Sequence, residues 1–184
     1  MTAPLKIMLA AVEPSADSIG ASLMREMIKR QPAVTFIGCG GAEMAREGLA
    51  SAFPIDAFSV MGITDAVRVA PLAMKRAKEL AELAALKKAD VAVFIDGWAF
   101  SRLAATRLRK FSPQTTAIKF VAPQVWASRP RRVYFVKKYF DGVLTILPFE
   151  PSWFEKVGVP AEFVGNPNFQ AAWAAKGDGD AFRA

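Results

Sequence analysis

Six short apolar runs punctuate the chain: Leu5–Val12, Val34–Cys39, Val91–Ile95, Ala117–Ala122, Val143–Leu147 and Glu162–Gly165. The first five are apolar almost throughout, without the alternation of a half-solvated strand. That is the pattern of strands covered on both faces. The stretches between them, Ser15–Arg30, Gly41–Glu47, Pro71–Lys88, Phe100–Lys110, Arg131–Phe140 and Pro151–Val157, read as helices. Pro71–Lys88 is the most explicit, with Leu72, Leu80, Leu83 and Leu86 on one side and Lys and Glu on the other. Alternating strands and helices predict an α/β fold, a doubly wound, Rossmann-like parallel sheet. From Ala174 the chain turns polar and glycine-containing, as linkers do. Residues 1–168 therefore read as one domain, and 169–184 as a tail leading toward a second domain.

Composition narrows the chemistry. There is no histidine and one cysteine, Cys39. Ser-His-Asp and Cys-His nucleophile systems, His-ligated zinc, cysteine metal clusters and an intramolecular disulfide are all excluded. Carboxylates, hydroxyls, amides, lysines and arginines remain. The net charge of +7 is concentrated: residues 101–140 hold ten Lys or Arg and no Asp or Glu, leaving fourteen basic and seventeen acidic residues elsewhere. Such a block favours anionic partners, namely phosphate groups, acidic lipid or nucleic acid. No apolar run reaches the 18 residues of a membrane span, so the expected location is cytoplasmic.

In an open parallel sheet, ligands bind beyond the carboxyl ends of the strands. Four segments lie there. Glu13-Pro14-Ser15-Ala16-Asp17 follows the first strand: Glu13 suits a sugar hydroxyl, while Ser15 and Asp17 either cap the helix or border an anion at its N-terminus. Gly38-Cys39-Gly40-Gly41 follows the second strand, and its glycines allow a ligand, or a tight turn, close to backbone. The first strand-to-helix turn lacks G-x-G-x-x-G, which disfavours nicotinamide cofactors. Asp96, ending the third strand, is either a base in the same crevice as Glu13 or the cap of the following helix. The segment from Ala122 to Arg132, after the fourth strand, brings Gln124, Trp126 and three guanidiniums suited to phosphate oxygens, Arg129, Arg131 and Arg132. The stretch Val133–Phe140 reads either as an interfacial helix or as a core-packed helix with a basic edge. Phe58-Ser59-Val60-Met61-Gly62-Ile63, with Val67, Val69 and Leu72, is either an apolar lip for acyl chains or a satellite cluster on the sheet.

Taken together these motifs resemble the lipid-A-disaccharide synthases. The resemblance runs from Lys6 to about Phe169 and rests on Glu13–Asp17, Gly38–Gly41 with Met44 and Glu47-Gly48, Ser59–Gly62, Val121–Arg132, Pro148-Phe149-Glu150 and Phe163–Pro167. It implies one half of a GT-B enzyme, in which two Rossmann-like domains face each other across a cleft. The implied reaction is metal-independent, needs no cofactor and inverts the anomeric centre. A UDP-diacylglucosamine donor and a diacylglucosamine 1-phosphate acceptor give a β-1,6 disaccharide and UDP. The implied partners are these lipid substrates, the anionic inner-membrane surface on which such enzymes sit peripherally, and a carboxyl-terminal GT-B domain; nucleic acid is not among them. This chain would be the acceptor-binding half.

The resemblance implies Asp96 or Glu13 as catalytic base. Ser15, Asp17, Gly40, Gly41, Met61, Gln124, Trp126, Arg129, Arg131, Arg132 and Asn166 would contact substrate. The chain departs from the pattern where many members carry Asp-Ala-Pro-Asp-Phe-Asn: the second Asp, their proposed base, is Ala99 here. It also has Ala16 for Gly, and Asn166 for His. The competing expectation is a non-catalytic basic module that docks on anionic lipid or nucleic acid.

Overall fold

The computed structural model describes residues 4–58 and 63–174. Its centre is one sheet of six parallel strands in the order β2-β1-β3-β4-β5-β6. The strands are β1 (Lys6–Ala10), β2 (Thr35–Cys39), β3 (Val91–Ile95), β4 (Thr116–Phe120), β5 (Gly142–Thr145) and β6 (Ala161–Phe163). The helices are α1 (Pro14–Arg30), α2 (Ala42–Arg46), α3 (Ile63–Lys87), α4 (Trp98–Phe111), α5 (Arg132–Tyr139), α6 (Pro151–Glu155) and α7 (Pro167–Ala174). A short 3₁₀ turn, Asp56–Phe58, precedes α3. The architecture is the α/β, doubly wound, Rossmann-like sheet that the apolar runs predict.

The two faces are separately packed. Met8, Ala10, Ala92, Phe94, Ala117 and Val143 point into a core with Ala77, Leu80 and Ala84 of α3, Ala104, Ala105 and Leu108 of α4, and Val133 and Val136 of α5. Ile7, Leu9, Val93, Ile95 and Phe120 face Ala16, Ile19, Ala21 and Met24 of α1 and Met44 of α2. Phe94 is fully buried at the centre; truncating such a residue to alanine costs roughly 3–5 kcal/mol.

Several boundaries differ from the sequence reading. Strands β1 and β4 stop at Ala10 and Phe120, although apolar residues continue to Val12 and Ala122. Those last residues are still buried, but as connections beneath the carboxyl edge rather than as ladder. Helix α1 starts at Pro14, so its N-cap is Glu13 and not Ser15. Pro14 fits N1 because its missing N–H would have had no helical partner there. Helix α3 starts eight residues before Pro71 and carries that proline inside it. Its buried face uses Ala77, Leu80, Ala81 and Ala84, while Leu86 is 77% exposed. Small residues there let α3 lie close to the sheet and α4. Part of the expected tail is helical: α7 opens on Asn166, whose Oδ1 accepts the Asn168 N–H at 3.0 Å, an Asx cap.

Candidate functional site

The order of the sheet creates one reversal. The chain steps outward from β1 to β2, then returns across β1 to place β3 on its other side. At that switch point the connections leaving β1 and β3 diverge, and the gap between them is where such sheets bind ligands. Two residues beyond the last β1–β3 pair, Ala10 with Phe94, the chain reaches Val12 and Asp96. Glu13 comes next. The structure thus brings Glu13 and Asp96 into one crevice, close enough that the Asp96 charge acts on Glu13.

The backbone at the tip of β3 is unusual. Asp96 (φ 47°) and Gly97 (φ 46°) are both left-handed. A side chain at Gly97 would be strained, and its Cβ would lie 3.1 Å from Val12 Cγ2 and 3.6 Å from Glu13 Oε1. Glycine at that position keeps the mouth of the crevice open. Asp96 does not cap α4; the N-cap is Gly97, and the Ser101 hydroxyl donates to the Asp96 carbonyl at 2.7 Å.

Both carboxylates are half-buried, and among the described residues neither accepts a hydrogen bond. This sets them apart. Asp17 is buried and accepts backbone N–H groups of Gly41 (2.7 Å), Glu43 (2.9 Å) and Met44 (3.1 Å), so it caps α2 from across the fold. Glu150 is buried and accepts the Leu147 N–H (3.1 Å) and the Trp126 indole N–H (3.2 Å). Asp141 takes Arg109 and the Ala117 N–H. The two lie together at the carboxyl edge of the sheet, the edge at which sheets of this class bind ligands. Burial, then the neighbouring Asp96 charge, holds the Glu13 carboxyl above its ordinary value, with Lys119 pulling the other way.

Lys119 is the residue the sequence reading missed. It sits on β4 opposite Phe94 and is only 1% exposed. Its Nζ donates to the carbonyls of Asp96 (2.6 Å), Phe94 (3.1 Å) and Phe120 (3.1 Å). Three acceptors use all three hydrogens of an ammonium. Burial pulls its pKa down to about 7, opposed by Asp96 and Glu13. The signal was a lone lysine in Ala117-Ile118-Lys119-Phe120-Val121-Ala122; buried lysines are rare unless they are paired.

Two adjoining pockets open at this edge, one of them lined by Glu13. One, about 220 Å³, is lined by Glu13 among apolar groups: Val12, Phe58, Val69, Ala73, Phe100 and Leu103. The other, about 450 Å³, is lined by Arg102, Arg129, Arg131 and Arg132 with Trp98 and Phe135. Ala99 lines both, so the two pockets adjoin. Arg132 lies over Trp98 (5.2 Å) and Arg102 over Phe135 (5.0 Å), while the two rings meet edge to face. Aromatic faces fix the guanidiniums and leave their N–H edges free for an anion. Among the described residues none of the four arginines pairs with a carboxylate. Arg132 is held below its ordinary value by burial and by the Arg129 and Arg102 charges. Arg129 is itself left-handed at φ 54°. Arg102 joins this pocket through α4, which spacing along the chain alone did not reveal.

The remaining candidates scatter. Ser15 is exposed on the first turn of α1. Gly40 gives its N–H to Ser51 Oγ (3.1 Å), and Gly41 gives its own to Asp17. Gln124 is exposed, and Trp126 packs on Phe149 (5.3 Å); neither lines the two pockets. Asn166 lies beyond β6, three strands from β3. Met61 and its segment Ser59–Gly62 lie outside the described residues. Helix α5 takes the core-packed form, burying Val133 and Val136 and exposing Tyr134, Lys137 and Lys138. Among the described residues no three Cys, Asp or Glu side chains gather as a metal ion needs. No described helix is long and apolar enough to cross a membrane.

An open parallel α/β sheet, with paired carboxylates at its switch point and a cationic pocket beside them between α4 and α5, places the chain in the doubly wound class. Comparison with known proteins gives the particular family. Residues 7–179 match the family described as lipid-A-disaccharide synthetase, and the chain belongs to it. It is similar to the lipid-A-disaccharide synthase of Rhodopseudomonas palustris strain BisB18, 43% identical over 164 residues, which cover 88% of this chain and 41% of that protein. The synthase of Rhodospirillum centenum is 39% identical over 98% of this chain and 45% of its own length. That of Idiomarina loihiensis is 41% identical over 89% and 43%. The chain spans less than half the length of these relatives.

Proposed function

We propose that this chain is the acceptor-binding half of an inverting glycosyltransferase of lipid A biosynthesis. The acceptor is diacylglucosamine 1-phosphate and the donor UDP-diacylglucosamine, held mostly by a carboxyl-terminal domain. The observation that carries the reading is the juxtaposition at the switch point. Glu13, with Asp96 beside it, lines an apolar pocket, and that pocket shares Ala99 with a four-arginine pocket. An acylated sugar phosphate has those three parts: acyl chains, hydroxyls and an anion.

In the reaction the acceptor 6-hydroxyl oxygen attacks the donor anomeric carbon. The bond from that carbon to UDP breaks with its electron pair on UDP, and the hydroxyl proton passes to a carboxylate. Glu13 is the base on this reading, because its raised affinity for a proton suits that role and it lines the acyl pocket. Asp96, beside it, orients the sugar hydroxyls. Ala99, where many members carry their proposed base, leaves room between the pockets. The arginines take the 1-phosphate. Exposed Tyr134 and Trp153, with Arg131 and Lys156 on the same surface, support peripheral docking on anionic inner membrane.

The test is calorimetric and NMR titration of residues 1–184 with water-soluble, short-chain diacylglucosamine 1-phosphate. Expected are shifts at Ala99, Phe100 and Leu103 as well as at the arginines, weaker binding of unacylated glucosamine 1-phosphate, and no disaccharide formed by the chain alone. Binding to oligonucleotides with a steep salt slope, and no response to acyl chains, would favour the non-catalytic basic module instead.

A further inference from the structure

Every other charged side chain near the crevice is at its surface; Lys119 lies beneath it. The tips of β3 and β4 both leave the ladder through left-handed residues, Asp96 (φ 47°) and Val121 (φ 63°). For a β-branched residue such as Val121 that conformation is strained, and the surroundings must hold it. The Lys119 ammonium is placed to do so: it joins the Asp96 carbonyl to that of Phe120, the residue before Val121. Serine supplies the other restraint, Ser101 Oγ to the same Asp96 carbonyl. The charged groups that act on Lys119 are the two carboxylates, Asp96 at the tip of β3 and Glu13 beyond β1.

We propose that Lys119 is a positioning residue for the Glu13–Asp96 pair: it pins the backbone turn that aims Asp96 into the crevice, and its buried ammonium opposes the charge that Asp96 places on Glu13. Without that ammonium the Asp96 charge acts on Glu13 unopposed, and Glu13 holds its proton more tightly. Lys119 touches no substrate on this geometry. It acts through the pair, and the inference rests on the acceptor-site reading above for its functional meaning.

The experiment is a ¹³C-carboxyl NMR titration of residues 1–184 as wild type, Lys119→Met and Asp96→Asn. In Lys119→Met the Glu13 carboxyl is expected to titrate at higher pH than in wild type, because the opposing ammonium is gone. In Asp96→Asn, which leaves the core untouched, the Lys119 side chain is expected to lose its proton at lower pH than in wild type. The second variant decides the matter should Lys119→Met fail to fold. Unchanged Glu13 titration in a folded Lys119→Met, or unchanged Lys119 titration in Asp96→Asn, overturns the proposal. Binding of short-chain diacylglucosamine 1-phosphate to the wild-type chain separates the two readings. Coupling without binding removes the acceptor assignment and leaves the coupled triad standing; binding without coupling removes the role given to Lys119.

Discussion

Replacing Asp17 tests whether the first acidic motif builds the site or contacts the ligand. Its carboxylate is 4% exposed. Oδ1 accepts from Gly41 and Met44, and Oδ2 from Glu43, so one side chain on α1 satisfies three N–H groups at the start of α2. Hydrogen bonds to charged groups are worth about 1.5–3 kcal/mol each. Their sum overstates the loss, because Gly41 and Glu43 are only half-buried and water can reach them. A cap substitution alone costs about 1 kcal/mol; adding the buried Met44 N–H brings the expectation for Asp17→Ala to about 3 kcal/mol. Asp17→Asn keeps one carbonyl oxygen but turns an NH₂ toward one N–H, and should lose about 1–2 kcal/mol. For a domain of this size, about 3 kcal/mol lowers Tm by roughly 6–12 °C. Urea denaturation gives the free energies directly, and phosphate titration of the folded variant reports on the arginine pocket. An Asp17→Ala chain within about 0.5 kcal/mol of wild type would refute the cap, since that is the range of inert surface changes.

Other expectations follow from the same geometry. Gly38→Ala places a Cβ 1.9 Å from the Leu9 carbonyl oxygen at a φ of 124°, so the variant should not yield folded protein, as circular dichroism would show. Glu13 binds its proton more tightly when folded, so stability falls as pH rises from the unfolded carboxyl value through the higher folded one. Glu13→Gln should therefore raise Tm at pH 7, with the gain fading in acid. Lys119 runs the other way: its folded value near 7 lies below the unfolded lysine value, so its contribution to stability rises with pH from about 7 to roughly 10.4. The wild-type minus Lys119→Met difference in denaturation free energy should climb over that window. The Cys39 thiol is buried and pushed up to about 12, so a thiol reagent at pH 8 should label none of the native chain and one site in urea.

The fold was legible because a doubly wound sheet writes itself into sequence as unbroken apolar runs. Each of the six strands overlaps one run: β1, β2 and β3 lie within theirs, while β4, β5 and β6 start one residue earlier, and the longer errors lay at the carboxyl edge, where Val12, Val121 and Ala122 stay apolar after the ladder ends. The alanine face of α3 was less visible because alanine carries little hydrophobic contrast, and Leu86 drew attention to the wrong side. At the site, Glu13 and Asp96 could be placed from strand order alone. The partner of Asp17 could not, because its donors lie 24 to 27 residues away in another loop. Lys119 was hidden by counting charges, which treats a buried ammonium and a solvated one alike. The four-arginine pocket needed α4 and α5 side by side before Arg102 could join the others.

The central claim is that the β1–β3 crevice receives an acylated sugar phosphate with its reactive hydroxyl on the carboxylate pair. A crystal structure of residues 1–184 with short-chain diacylglucosamine 1-phosphate tests it most directly. The account predicts the phosphate against Arg129 and Arg132, an acyl chain between Phe58 and Leu103, and the 6-hydroxyl within hydrogen-bonding distance of Glu13 or Asp96. A phosphate bound elsewhere, or a sugar whose 6-hydroxyl turns away from both carboxylates, would contradict it.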